Sequence, residues 1–276
     1  MTAPVRVRRR EVTSGRPSGI AIAAAAVGVV FFLAPLVGLA QRAPWSAIGD
    51  ELTKPSTVEA LRLSLVTSLG TTALSVLFGV PLAWVLARWS FPGRRLARAV
   101  VTLPMVLPPV VGGVALFLAF GRRGFVGERL DDWIGLRLPF TTAGVIVAQT
   151  FVAMPFLVVT VEAALRSLDG RFEEAAATLG ARRLTVFRRV TLPLIAPSII
   201  AGAVLSWARA LGEFGATITF AGNFPGRTQT MPLAIFLAFE SDPEAAIALS
   251  LVLVAVSIAV LVGLRDRWLR DRWLRA

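Results

Sequence analysis

Covalent chemistry needs nucleophiles, bases or metal ligands, and these 276 residues hold few of them. Histidine, cysteine and tyrosine are absent. Without them there is no imidazole base, no thiolate and no ordinary zinc set. No Gly-x-Ser-x-Gly turn presents a serine nucleophile. Lys54 is the sole lysine. It stands in Leu-Thr-Lys-Pro and not behind the glycines of a phosphate-cradling loop. The expectation is a chain with no catalytic residue, no metal site and no cofactor of its own. What remains is a set of polar side chains in apolar surroundings: Gln149, Ser206, Arg209, Glu213, Thr217 and Asn223. Residues of this kind either line a polar route or hold helices together.

The elements around them follow from hydropathy. The chain is 55% hydrophobic and only 17% charged, with a mean hydropathy of +0.71. A soluble domain carries about 25% charge, and a disordered one cannot be this apolar. A bilayer core of about 30 Å takes about 20 apolar residues in a helix. Uncharged runs of that scale cover 18–41, 63–87, 99–121, 138–161 and 245–264, with a shorter one at 190–208 continued by apolar sequence to 220. The reading is an all-α membrane protein with six transmembrane helices. The first run is too long for a signal-peptide core and has no small-residue cleavage pattern, so it counts as a span.

Orientation accounts for the net charge of +12. With the N-terminus inside, 20 of the 29 basic residues fall on the cytoplasmic side, and net charge is +13 inside against −1 outside. This is the positive-inside bias, and it predicts cytoplasmic termini. Because the arginines flank spans and form no single basic surface, nucleic acid is excluded as a partner. The tail repeats Arg-Asp-Arg-Trp-Leu, and Trp268 and Trp273 suit an interfacial anchor among membrane lipids. The domain plan is an N-terminal tail (1–17), a six-helix membrane domain (18–264) and a C-terminal tail (265–276).

The largest inside loop, 162–189, is patterned. Asp169 or Gly170 can start a helix with Glu173 and Glu174 in its first turn, where acids are favoured. Gly180 fits a stop. A second short helix from Arg182 would carry Val186, Phe187 and Val190 as apolar knobs, and Pro193 and Pro197 mark the start of the next span. A helix–turn–helix of this kind suits docking to a soluble partner. In the span that follows, about 20 residues from Leu194 put Arg209 in the outer part of the membrane and Glu213 near its edge. Being four apart, the two can meet on one face. Two readings stay open: Arg209, with Ser206 and Thr217, borders an anion route, or the pair is structural. Gln149 likewise is packing glue or route lining. Prolines 35, 81, 104, 108, 109 and 155 interrupt the spans; a proline can kink a helix, and each alone is more often packing than hinge.

Glu174-Ala175-Ala176-x-x-x-Gly180, then nine residues, then Val190-x-Leu192-Pro193, resembles the coupling-loop signature of bacterial ABC-importer permeases. Its place before the penultimate span also matches. Arg209-Ala-Leu-Gly-Glu213-Phe-Gly-Ala-Thr217-Ile-Thr-Phe-Ala-Gly-Asn223 resembles the oxyanion branch, the sulfate and molybdate permeases. The stretches 225–236 and 103–113 look more like the molybdate members. The likeness covers roughly 55–265. It implies the type I importer permease architecture, a homodimer around a central path, and two ATPase subunits that bind ATP and Mg at the cytoplasmic face. It also implies an extracytoplasmic anion-binding protein, a multi-pass place in the bacterial inner membrane, and molybdate (or tungstate) import by alternating access. Glu173, Glu174, Ala175, Ala176, Gly180, Phe187 and Pro193 would then be the ATPase-coupling residues. The alternatives are a sulfate permease of the same build and, from another class, an ATP-independent channel or carrier.

Overall fold

The computed structural model describes residues 18–273, apart from the side chains of 261 and 263–273. The expected N-terminal tail and the anchoring role of Trp268 and Trp273 lie outside the described residues. All regular structure described is helical. Five helices are long and apolar enough to cross a membrane, or six if one bent pair is a single broken span.

Helix α1 (Gly19–Gln41) forms a unit of its own. The Ser18 hydroxyl accepts from the Ala21 amide at 3.3 Å and caps it. The second unit opens with the short α2 (Ile48–Thr53) and the 34-residue α3 (Pro55–Arg88). At about 1.5 Å per residue α3 is about 51 Å long, so it begins well before the apolar run at 63. It packs against α7 (Thr142–Ser167) and α10 (Leu192–Leu211), which also pack on each other. This three-helix core is why α3 is interrupted by small and hydroxyl residues. Ser64, Ser68, Thr71, Ser75, Gly79 and Ala83 fall at helical spacing and are all buried. Between helices in lipid, close approach of small residues and hydroxyl bonds replaces the hydrophobic drive. Leu157 of α7 is the knob. A Cβ at Gly79 would stand 2.9 Å from its Cδ2, and one at Gly202 would stand 3.1 Å from its Cα.

The third apolar run, expected as one span interrupted by Pro104, Pro108 and Pro109, is a pair of helices with a sharp bend between them. Helix α4 (Arg94–Thr102), carried on by a 3₁₀ turn to Met105, and α5 (Pro109–Phe120) meet at 116°. Pro108 and Pro109 are the cause. Each drives the residue before it out of the helical region, and Pro108 itself is extended with ψ 128°. Helix α5 is 12 residues, about 18 Å, too short to cross alone. The short α6 (Gly127–Ile134) follows, ending on Gly135.

The loop beginning at 162 also differs from expectation, since α7 continues through Ser167. After it come α8 (Arg171–Thr178) and α9 (Arg183–Val186). A π turn, Phe187–Thr191, joins α9 directly to α10, with the Leu192 amide reaching back to the Phe187 carbonyl. Pro193, which has no amide to donate, sits in the first turn of α10. The continuation expected to 220 is a separate helix, α11 (Gly215–Ala221). Helix α12 (Met231–Ser241) then packs on α13 (Pro243–Trp273), whose start is capped by the Asp242 carboxylate accepting from the Ala245 amide at 3.1 Å.

Candidate functional site

Glycine fixes the shape of the loop. Gly180 follows α8 with φ +81°, a left-handed conformation that costs a residue with a Cβ about 1–2 kcal/mol. Its amide donates to the Ala177 carbonyl at 3.0 Å, and the Ala181 amide donates to the Ala176 carbonyl at 3.2 Å. These paired bonds satisfy the last carbonyls of α8 and turn the chain into α9. Gly180→Val is expected to open this turn and cut recovery of a co-expressed ATPase subunit several-fold in affinity purification. Recovery equal to wild type would remove the turn from any docking role.

Helix α8 presents two faces. Phe172, Ala175 and Leu179 share the outer one at helical spacing, and Phe172 and Leu179 are 56% and 88% exposed. Leu184 of α9 is exposed beside them in sequence. These, and not Val186, Phe187 and Val190, are the outward apolar knobs. Phe187 is half-buried and meets Trp84 of α3 edge-on, with ring centroids 6.2 Å apart. Glu174 is exposed, while Glu173, its neighbour, turns inward. One Glu173 oxygen accepts from Thr191 Oγ1 at 2.7 Å and from Arg88 Nη2 at 3.2 Å. The other oxygen is also 3.2 Å from that nitrogen. Ala175 is exposed, Ala176 half-buried, and Pro193 exposed at the head of α10. A cleft of about 750 Å³ opens alongside, walled by Pro81, Trp84 and Trp89 on one side and Ala177, Leu184 and Phe187 on the other.

A second polar group was missed in the sequence. Arg98 of α4 and Arg166 of α7 both hold the buried Glu162 carboxylate, at 2.6 and 2.8 Å. Arg94 and Arg98 also donate to the carbonyls of Leu86 and Ala87. Those carbonyls lie in the last turn of α3 and have no helical partner. The arginines thus cap α3 while drawing α4 onto α7. The i, i+4 spacing of Glu162 and Arg166 was legible; the reach of Arg98 was not.

The expected route residues do not form one cluster. Gln149 is buried and accepts from Thr71 Oγ1 at 3.1 Å. Ser206 is buried and donates to Ser75 Oγ at 3.1 Å. Both are tied to α3. Arg209 Nη2 is 2.5 Å from Glu213 Oε2, and Glu213 Oε1 accepts from the Ala216 amide at 2.8 Å. Glu213 therefore sits in the break between α10 and α11, and caps α11. Among the described residues no hydrogen bond or ion pair joins these two sets. Thr217 Oγ1 and Asn223 Oδ1 are buried and have no hydrogen-bond partner among the described residues. Lys54 pairs with Glu51, whose hydrogen bond raises its ammonium pKa above the usual lysine value.

Known proteins resemble this chain in sequence and in fold. Residues 75–273 match the family model described as binding-protein-dependent transport system inner membrane component. The molybdenum transport system permease protein ModB of Mycobacterium tuberculosis is 50% identical over 243 residues, covering 88% of this chain and 92% of that one. ModB of Escherichia coli K12 is 44% identical over 211 residues, covering 76% and 92%. The sulfate transport system permease protein CysT of Salmonella typhimurium is 40% identical over 230 residues, covering 83% of each. Among solved structures, a bacterial ABC transporter that imports the acidic polysaccharide alginate superposes with TM-score 0.72 at 19% identity, over 91% of this chain and 95% of that one. The MetNI methionine ABC transporter gives 0.57 at 18%, over 78% and 94%. These two likenesses are of fold, and they place the helices in the type I importer architecture. The motif resemblance around 174–193 and 209–223 and the extended identity agree: the chain belongs to the family of binding-protein-dependent transport system inner membrane components.

Proposed function

We propose that this chain is the membrane-spanning permease subunit of an ATP-driven importer that brings molybdate, with tungstate as a close analogue, into the cell. The observation that carries the substrate is the identity of 50%, 44% and 41% to molybdenum permeases over at least 92% of their lengths. The sulfate permeases reach 40% and 38% over 83% of theirs. The outer face of α8 and α9 supports the partner: short helices with exposed Phe172, Leu179 and Leu184 among arginines suit a groove on a soluble ATPase, which would hold the ATP and Mg. Two copies of the chain would pair around the path, two ATPase subunits would sit inside, and an anion-binding protein would deliver outside. The excess of arginine on the loop side supports cytoplasmic termini.

In this reading ATP draws the ATPase pair together, α8 moves with it, and the core of α3, α7 and α10 changes its opening. The test is uptake of labelled molybdate into proteoliposomes holding permease, ATPase and binding protein. Uptake is expected to need ATP and the binding protein, and to be competed by tungstate far better than by sulfate. Equal competition by sulfate would move the chain to the sulfate branch. Uptake without ATP would overturn the importer reading.

A further inference from the structure

We infer that Glu173 is not a docking residue but the pivot through which α8 moves the membrane helices, and this rests on the importer reading above. Three observations carry it. Its carboxylate joins three elements at once: α8, the last residue of α3 through Arg88, and the π turn heading α10 through Thr191. Among the described residues, the Arg88–Glu173 pair is the polar link from α8 to a membrane helix outside its own loop. Glu173 and Ala176 fall on the inner face of α8, whereas Phe172, Glu174, Ala175 and Leu179 are exposed. Two adjacent glutamates thus differ: Glu174 is exposed along the cleft, while Glu173 is held by Arg88 and Thr191.

The geometry of the contact suits a joint. A single Arg88 nitrogen faces both carboxylate oxygens at 3.2 Å. Arg88 Nε is buried without a hydrogen-bond partner among the described residues. This is an end-on grip and not the two-pronged fork that would fix orientation. The carboxylate can turn about it while Thr191 follows. The cleft beside it, about 750 Å³ between Trp84 and Ala177, gives α8 clearance to tilt. Glu173 is a positioning residue: it touches neither the transported anion nor nucleotide, and it sets where α3 and α10 go when α8 is moved.

The experiment measures anion transported per ATP hydrolysed, and ATPase co-purification, in the reconstituted full complex. Glu173→Ala is expected to lower transport per ATP about five-fold, while the ATPase subunit still co-purifies. Leu179→Asp, on the outer face, is expected to lose the ATPase. Arg88→Ala should match Glu173→Ala, and the double variant should be no worse than either, because both remove one joint. If Glu173→Ala does not reach the membrane, Glu173→Gln keeps an acceptor for Thr191 and is held to the same criteria with a smaller loss. Additive effects of the two changes, an unchanged ratio, or loss of ATPase binding equal to that of Leu179→Asp would each overturn the pivot. A wild-type complex that carries sulfate overturns the substrate reading alone, since the ratio is then read with sulfate. A wild-type complex that moves neither anion with ATP overturns both.

Discussion

Gly113→Leu is expected to remove the protein from the membrane fraction, and Gly113→Ala to lower the melting temperature of the purified protein. A Cβ at this position in α5 would stand 1.7 Å from Thr219 Oγ1 and 2.9 Å from the Ala216 carbonyl oxygen of α11. The hydroxyl can rotate away, although it gives up its bond to the Gly215 carbonyl at 2.8 Å. The carbonyl belongs to the helix and cannot move without it. Overpacking of this kind costs about 1–3 kcal/mol for one added methyl and more for a branched chain. The cost is felt because α5 is too short to hold itself in place and leans on α11. Immunoblots of membranes read the leucine variant and detergent melting reads the alanine variant. Partial rescue of Gly113→Ala by Thr219→Ala would locate the clash. Wild-type accumulation of Gly113→Leu would mean the two helices are not this close.

Arg209→Gln is expected to be the most damaging single change of charge. It leaves the Glu213 carboxylate, only 1% exposed, without its cation. Stranding one member of a buried pair costs about 3–5 kcal/mol. Glu213→Ala is milder at the arginine, which is 27% exposed and partly in reach of water, but it also removes the cap of α11, worth about 1 kcal/mol. The double change Arg209→Gln with Glu213→Gln should recover most of the loss. As a structural pair, these residues set how much complex assembles and not how well each complex binds. Uptake by Arg209→Gln is therefore expected to fall with the amount of protein at an unchanged apparent KM. A raised KM at normal assembly would instead place Arg209 on the anion route.

Much of this was legible without coordinates, and the failures share a cause. The runs at 18–41, 138–161 and 245–264 became helices because a run of apolar residues in a helix depends on the chain alone. The Arg209–Glu213 contact was legible for the same reason, since i and i+4 are neighbours on any helix. In the run at 99–121 the prolines marked the interruption, but the 116° bend at Pro108–Pro109 was not legible, because hydropathy and proline position give no angle. The inward turn of Glu173 was hidden because it depends on Arg88, far away in sequence. The hydroxyl row of α3 was in plain view at helical spacing, yet reads as weak helix former until α7 and α10 are seen to cover it.

That row has a mechanical consequence. Thr71 on Gln149, Ser206 on Ser75 and the Met231 amide on Ser64 at 2.7 Å are contacts in which α3 offers hydroxyls. A hydroxyl donates and accepts alike, so the row can hold whichever polar group a packed helix presents. Ser64, Thr71 and Ser75 hold α12, α7 and α10 in turn, and drawing any of them off α3 strands a polar group in lipid. The row works as separate clasps along one rod, each stiff against separation.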